Sequence, residues 1–338
     1  MINFEDIGGW HFANELDVVE ITTSTAVTIT IKDSSNNELL RGSYIPTGGS
    51  VKVYHLWRLL NPLIAGVTAN FTITVGSTSK TIHVVRSGVS VSESASSFLP
   101  SFFLSSVMSE RDTTLDRKEV LTFIPIEATL PSVEAECLYW NGESVISSSK
   151  SVTATVVADT VCEINVSAAQ FVDTLLGELV GYTINAGARN MRYHVRELPT
   201  AEVAMIMRNT FGAWETVYFA GMTEDAPEYS RNMAMVNGAM RLYSIEETAT
   251  MTSWTGPLRP SGVALARDLA RSENTYLLES GTATDAVVIT ASDVKHTSAE
   301  EELSDFTFTW RRADLCSARL DTVRPPRLFD DTFDETYE

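Results

Sequence analysis

Short runs in which apolar and polar residues alternate constrain the fold of this chain more than any other feature. The clearest run is Val-Thr-Ile-Thr-Ile at 27–31, and a period of two is typical of a strand with one buried face. Runs at 71–75 and 81–85 predict a hairpin with a five-residue loop. Because turn residues separate such runs along most of the chain, we expect a mainly β protein.

The segment 207–221 predicts a further hairpin, a strand–turn–strand unit in the C-terminal part of the chain. Asn209–Gly212 supplies the turn, and an aromatic and β-branched run follows it. The run 233–251 predicts a long strand with a bulge or bend at Gly238. By contrast, the pattern at 51–64 predicts a short helix.

The middle of the chain carries the same signals. Strands are predicted at 120–124, 135–140 and 152–157, and Asn141-Gly142 is a predicted two-residue hairpin turn. Another hairpin is predicted around Gly187-Ala188. Together these elements predict a second sandwich.

The predicted fold is a series of tandem antiparallel β-sandwich domains with one short helix in the C-terminal domain and an extended C-terminal arm. The parts are an N-terminal β-sandwich at 1–90, a second β-sandwich at 98–198, a C-terminal β-rich domain at 200–318 and the arm at 319–338. A Ser- and Gly-rich stretch at 87–97 is interpreted as a linker. The helix is predicted near 263–271, with Leu265 and Leu269 on its apolar face.

The 338 residues carry a net charge of −19, and this acidity argues against two classes of partner. Such a surface repels nucleic-acid phosphate and anionic lipid, so we expect neither nucleic acid nor a membrane as partner. The first residues lack the basic and apolar regions of a secretory signal, which predicts synthesis in a cytosol. Cys137, Cys162 and Cys316 are far apart and odd in number, which favours buried free thiols over disulfides.

Residue patterns for catalysis and for metal or cofactor binding are missing from the sequence. The histidines are His11, His55, His83, His194 and His296. No two of them have the spacing of zinc ligands, and no cysteine lies near one. The chain contains no phosphate-binding loop, dinucleotide fingerprint or Gly-x-Ser-x-Gly elbow. We therefore predict no enzyme activity, no catalytic residue, no metal site and no cofactor.

The C-terminal arm is the predicted assembly element. Its candidate contact residues are Arg324, Arg327, Phe329, Phe333 and Tyr337. The three aromatic residues recur every four positions, which places them on one face of either a helix or a strand. Because an exposed aromatic face is unfavourable in water, we expect the arm to lie on a neighbouring subunit or a different protein. A frayed, disordered terminus is the alternative interpretation.

Three stretches carry a resemblance to a known group of proteins. They are Arg-Asn-Thr-Phe-Gly-Ala-Trp-Glu-Thr at 208–216, Phe-Thr-Phe-Thr-Trp-Arg-Arg-Ala-Asp at 306–314 and Arg-Leu-Phe-Asp-Asp-Thr-Phe-Asp-Glu-Thr at 327–336. In these stretches the chain resembles structural proteins encoded by phages and prophages of Bacteroidales bacteria. The resemblance implies a virion component of the tail or baseplate, a class often built from β-sandwiches assembled into rings.

The leading hypothesis is a non-enzymatic phage virion protein that forms a symmetric ring in a tail tip or baseplate, assembled through strand edges and the C-terminal arm. Its expected partners are further copies of itself and other virion proteins, and its expected location is the virion, after synthesis in the cytoplasm of the host bacterium. One alternative is a carbohydrate-binding or adhesin-like module that stacks exposed tryptophans on a host-surface glycan. A more distant alternative is a polysaccharide hydrolase that uses a pair of the many carboxylates.

Overall fold

Strands dominate the part of the chain that can be described, which is 2–89, 91–197, 203–294 and 304–313 of the computed structural model. Strands hold 54% of these described residues and helices 11%, in several antiparallel sheets, so the predicted mainly β fold class is confirmed. Each sheet draws all its strands from one of the three predicted β segments. The domain boundaries themselves stay predictions.

The N-terminal segment folds as two facing sheets. Its strands are β1 (Ile2–Asn3), β2 (Gly9–Phe12), β3 (Val18–Thr22), β4 (Val27–Asp33), β5 (Glu38–Tyr44), β6 (Ser50–Tyr54), β7 (Thr68–Val75) and β8 (Thr78–Val85). One sheet has the order β1-β3-β6, and the other has the order β2-β8-β7-β4-β5. Ile29 and Ile31 are buried between them, as the alternation at 27–31 predicts.

Two predictions in this segment were wrong in detail. The β7–β8 hairpin pairs Val75 with Thr78, so its loop has two residues instead of five. The segment 51–64, predicted as a helix, begins with β6, in which Val51 pairs with Ile21 of β3 and is buried in the core between the sheets. The helix α1 then covers only Leu56–Leu60, and a 3₁₀ turn follows at Asn61–Leu63.

The middle segment forms a second pair of sheets. Its elements are α2 (Ala95–Phe98), β9 (Glu110–Thr113), β10 (Val120–Phe123), β11 (Val133–Trp140), β12 (Val145–Ser151), β13 (Cys162–Asn165), a 3₁₀ turn (Ala168–Phe171), β14 (Glu178–Ala186) and β15 (Arg189–Val195). The sheets have the orders β10-β13 and β12-β11-β14-β15-β9. Cys137 and Cys162 are buried in the shared core as free thiols. Cys316 lies outside the described residues.

The prediction of a strand at 152–157 was wrong, because the partner of β11 is the Ser-rich β12 that precedes this stretch. Trp140 pairs with Val145, so the loop at Asn141-Gly142 contains four residues. The interpretation of 87–97 as a linker also needs correction. Ala95 and Phe98 are buried in a core that includes residues of all three segments.

The C-terminal segment is one antiparallel sheet of seven strands with a helix packed on it. Its elements are β16 (Val203–Arg208), β17 (Trp214–Phe219), β18 (Thr223–Val236), β19 (Ala239–Trp254), α3 (Pro260–Arg271), β20 (Thr275–Glu279), β21 (Thr282–Asp293) and β22 (Thr307–Arg312). The order is β17-β16-β20-β21-β22-β19-β18. α3 packs on the sheet through Val263, Ala266 and Leu269, whereas Leu265 is only partly buried.

The predicted turn at Asn209–Gly212 joins β16 to β17 as expected. Gly212 has a φ of +74°, and a Cβ at this position would collide with the carbonyl oxygen of Gly66. The neighbouring Phe211 packs against Phe12 and Phe98 at ring-centre distances of 5.7 and 5.5 Å. The turn therefore joins the three segments in one aromatic core.

Candidate functional site

The predicted assembly residues Arg324, Arg327, Phe329, Phe333 and Tyr337 lie outside the described residues. The choice between a helical and an extended arm therefore stays a prediction. Three other features within the described ranges could support a function. They are a buried charge cluster, a cavity beside it and a projecting hairpin.

The described histidines have protein partners instead of forming a ligand set. His55 Nδ1 lies 2.9 Å from Asp17, and His194 Nε2 lies 3.0 Å from Glu110. Across 2–89, 91–197, 203–294 and 304–313, no group of three or more His, Cys, Asp or Glu residues is placed to hold a metal ion. Within the same ranges, no helix is long and apolar enough to span a membrane.

The buried charge cluster joins the middle segment to the C-terminal sheet and is centred on Glu215 of β17. Its carboxylate accepts hydrogen bonds from the hydroxyl of Ser105 (2.6 Å), the backbone N–H and hydroxyl of Ser106 (3.1 and 2.7 Å), Nη2 of Arg111 (2.9 Å) and Nδ2 of Asn209 (2.9 Å). Glu215 is only 1% exposed. Because donors surround both carboxylate oxygens, this group satisfies the usual requirement for a buried charge.

Two more carboxylates extend the cluster. Arg111 Nη1 lies 3.3 Å from Oε2 of Glu119, so one guanidinium bridges two acidic side chains. Asp268 of α3 accepts a hydrogen bond from the backbone N–H of Thr210 at 2.7 Å, and its Oδ2 lies 2.5 Å from the hydroxyl oxygen of Ser106. This hydroxyl carries one proton, so it donates to either Glu215 or Asp268 at a time. The cluster therefore links β9, the 209–212 turn and α3.

Burial controls the protonation of these groups. It raises the pKa of Glu119, although Arg111 opposes the shift. It also raises the pKa of Asp268, although hydrogen bonds from Ser106 and the turn oppose it. For Arg111, burial acts to lower the pKa, but Glu215 and Glu119 outweigh it and raise the value. The arginine is thus permanently charged and paired, which suits a structural lock between segments.

A cavity of about 380 Å³ lies beside the cluster, between α3 and the middle segment. Leu258 and Leu265 contribute apolar wall, and Arg117 and Arg259 contribute positive charge. Arg259 Nε lies 2.9 Å from Asp112, so this charge is partly balanced. The volume falls within the range of small-molecule sites, and the lining suits an apolar ligand that carries a negative charge.

The hairpin of β18 and β19 extends well beyond the sheet that holds its base. The strands pair as far as Val236 and Ala239, but β22 pairs only with Met251–Trp254 of β19. Among the described residues, the outer part of the hairpin therefore has no third strand. We call residues 226–250 the ribbon, which is about 40 Å long at the usual rise of a strand.

The turn of the ribbon corrects the prediction of a bulge or bend at Gly238. Asn237 and Gly238 have φ values of +52° and +79°, which is the pattern of a type I′ hairpin turn. The bulge lies between Asn232 and Met233 instead. The predicted single strand is therefore the second half of a hairpin and its turn.

One face of the ribbon is apolar and exposed. Met233 pairs with Leu242 and Met235 with Met240, and residues two apart on a strand share a face. By this register the apolar ribbon face comprises Tyr229, Met233, Met235, Met240, Leu242 and Ile245, which are 47–66% exposed. Arg231 lies on the same face, with its guanidinium carbon 5.4 Å from the ring centre of Tyr229. An exposed apolar patch of this kind is typical of interaction sites.

The sugar-binding alternative depends on exposed tryptophans, and the structure describes all six. Trp140 is 41% exposed, whereas Trp310 is 2% exposed and the other four are partly buried. A single exposed ring is a weaker platform for sugar stacking than several aligned rings.

Comparisons with known proteins add little to this geometry. No family model and no curated protein matches the chain. A chain in a structure titled "Virion of native gene transfer agent (GTA) particle" matches 32% of this chain and 91% of its own length, at 12% identity and a TM-score of 0.23. This likeness is to part of a virion particle, and at that TM-score it carries no argument about fold or function.

Proposed function

We propose that this chain is a non-enzymatic structural component of a phage virion, which assembles as a symmetric ring in the tail tip or baseplate. The apolar ribbon face is the observation that carries the proposal. The resemblance in sequence to phage structural proteins supplies the setting of tail and baseplate. The expected location is the virion, after synthesis in the cytoplasm of the host.

The energetics of the ribbon favour a partner. Six large apolar side chains are about half exposed, and covering them would stabilise a complex by on the order of 5–9 kcal/mol before the cost of association. A two-stranded hairpin is also only marginally stable in water on its own. A ribbon that meets another protein chain resolves both problems.

The ribbon also suits ring formation. Among the described residues its outer strands have open edges, and open edges invite pairing with another chain. Contact between the ribbon of one copy and a different surface of the next is heterologous, and such contacts close into rings when the rotation permits. The charge of −19 opposes association at low salt, so assembly should strengthen as salt screens the repulsion.

The internal bonding of the buried cluster supports a non-catalytic role. Glu215 is fully buried, and burial raises the pKa of Asp268, and both features also occur in active sites. Their oxygens, however, are engaged by Ser106, Arg111 and Asn209 in the folded chain. The cluster therefore stabilises the C-terminal sheet from which the ribbon projects.

The test compares two double variants on opposite faces of the ribbon. Met233→Ser with Met235→Ser removes apolar surface from the apolar ribbon face, and Ala234→Ser with Val236→Ser changes the other face of the same strand. We expect the first variant to fold with a wild-type circular dichroism spectrum but to stay monomeric by native mass spectrometry. The second variant should assemble like the wild-type chain, with assembly increasing with salt.

Two results would contradict the proposal. One is a wild-type chain that stays monomeric at every concentration and salt level, alone and with the other proteins of its virion. The other is normal assembly by the Met233→Ser, Met235→Ser variant. Mass spectrometry of purified virions tests the location separately, since a chain absent from the particles is not a virion component.

A further inference from the structure

The apolar ribbon face is matched in chemistry by a segment of the chain outside the described residues. Residues 328–338 contain three aromatic residues, five carboxylates and no basic residue. Residues 229–245 of the ribbon contain Arg231 and Arg241 and no carboxylate, in a chain whose net charge is −19. Both surfaces are therefore apolar, and the stretch 229–245 is opposite in charge to the segment. Glu247, which pairs with Tyr229, places one carboxylate on this face at the base of the ribbon, whereas Arg231 lies nearer the tip.

The match extends to the order of residues. In an extended strand, residues two apart share a face. That face would present Phe329, Asp331, Phe333, Glu335 and Tyr337, with aromatic and acidic side chains in alternation. The apolar ribbon face places a single arginine among aromatic, methionine and aliphatic side chains. Its groups thus complement both kinds of side chain on the segment.

The length and direction of the chain allow this contact. The described residues end at Ala313, just after β22, which runs antiparallel to β19 and therefore points toward the tip of the ribbon. Residues 314–327 separate this point from the aromatic segment. Fully extended, they would span about 45–50 Å, which exceeds the length of the ribbon.

We propose that residues 328–338 of one copy bind the apolar ribbon face of a neighbouring copy as an extended, acidic and aromatic strand. Phe329, Phe333 and Tyr337 pack on the exposed methionine and leucine side chains, and the acidic residues between them pair with Arg231. Backbone groups of the segment add to an open edge of the ribbon. The choice of a neighbouring copy rests on the proposed assembly function, and the preference of consecutive prolines, here at 325–326, for an extended chain favours it.

The test uses the full-length chain with the photoreactive residue p-benzoylphenylalanine in place of Phe333. Nitrogen-15-labelled and unlabelled chains are unfolded, mixed in equal amounts, refolded, allowed to assemble and irradiated, and the crosslinked peptides are identified by mass spectrometry. We expect crosslinks to the ribbon, and about half of them should join a labelled peptide to an unlabelled one, as random mixing of copies requires.

Charge reversals on the two ribbon faces test the specificity of the contact. Arg231→Glu should lower the yield of ribbon crosslinks on the order of fivefold, as loss of a partly exposed charge pair predicts. Arg241→Glu makes the same change in net charge on the opposite face and should leave the yield close to wild type. Adding Glu335→Arg to the Arg231→Glu chain should restore the crosslinks.

Each other outcome overturns the proposal. Crosslinks to the ribbon that never join labelled to unlabelled peptides place the segment on its own copy. Crosslinks to other parts of the chain, or ribbon crosslinks whose yield does not change in Arg231→Glu, contradict the apolar ribbon face as the binding site. Native mass spectrometry of the same samples reports assembly independently: a ring without ribbon crosslinks contradicts the docking alone, whereas a monomer contradicts the proposed function.

Discussion

Glu215→Gln is the substitution that tests the buried cluster most directly. The change keeps the size of the side chain but removes its charge. Oε1 of Glu215 accepts from Ser105 and Arg111, and Oε2 accepts from Ser106 and Asn209. Whichever oxygen the amide nitrogen replaces, it meets at least one N–H group that can only donate, so glutamine cannot satisfy the site.

The expected loss follows from what remains. Among the described residues, Arg111 keeps Glu119 as its only ion-pair partner, at 3.3 Å, and at least one buried donor loses its acceptor. Removal of one partner from a buried ion pair costs about 3–5 kcal/mol. With a urea dependence of about 3 kcal/mol per molar, the unfolding midpoint should fall by about 1–2 M.

Urea unfolding followed by circular dichroism and tryptophan fluorescence measures this loss. Glu279→Gln on the exposed end of β20 is the matched control, and it should change the free energy of unfolding by less than about 0.5 kcal/mol. A Glu215→Gln chain with the midpoint of the control would refute the role of the cluster as a lock between segments. Measurement of assembly for the Glu215→Gln chain at low urea shows whether loss of the buried cluster also affects assembly through the ribbon.

Two further predictions concern stability. Leu269 is fully buried against the C-terminal sheet, so Leu269→Ala should lower the free energy of unfolding by about 2–5 kcal/mol. Leu265 is only partly buried, so Leu265→Ala should lower it less. Equal losses for the two variants in thermal melts would contradict the packing of α3. Because burial raises the pKa of Glu119 in the folded chain, the unfolded chain loses this proton first, and wild-type stability should fall relative to Glu119→Gln as pH rises above about 4.5. If urea titrations show that the free energy of unfolding of the wild type, relative to that of Glu119→Gln, stays constant or increases with pH, the pKa of Glu119 is not raised in the folded chain.

The sequence predicts strands well where one face is buried and poorly where pairing alone makes the strand. The alternation at 27–31 and the runs at 120–124 and 135–140 correspond to β4, β10 and β11, whose alternate residues enter cores. β12 instead is Ser-rich, with no fully buried residue, and exists because β11 offers an open edge. Hydrophobic periodicity carries no signal for such a strand.

The site residues show a different limit. Asn237-Gly238 is a strong local signal for a two-residue hairpin turn, so the sequence contains enough information to predict the ribbon. Glu215 was not, because its partners Ser105 and Arg111 are 110 and 104 positions away in the chain. The signal that the sequence offers is Glu215, a charged residue within an otherwise largely apolar and aromatic strand. This pattern indicates a buried side chain but does not identify its partners.

The charge distribution favours head-to-tail contacts over contacts between two ribbons. Face-to-face packing of two ribbons would bring two copies of Arg231 near one another and two acidic bodies close together. Contact between a ribbon and an acidic aromatic segment brings unlike charges together, and one such contact between two copies leaves a free ribbon on one copy and a free segment on the other. The interface then either closes by reciprocal exchange between two copies or continues from copy to copy into a ring or a filament. Masses above two copies in native mass spectrometry therefore exclude ribbon-to-ribbon packing, which stops at two copies.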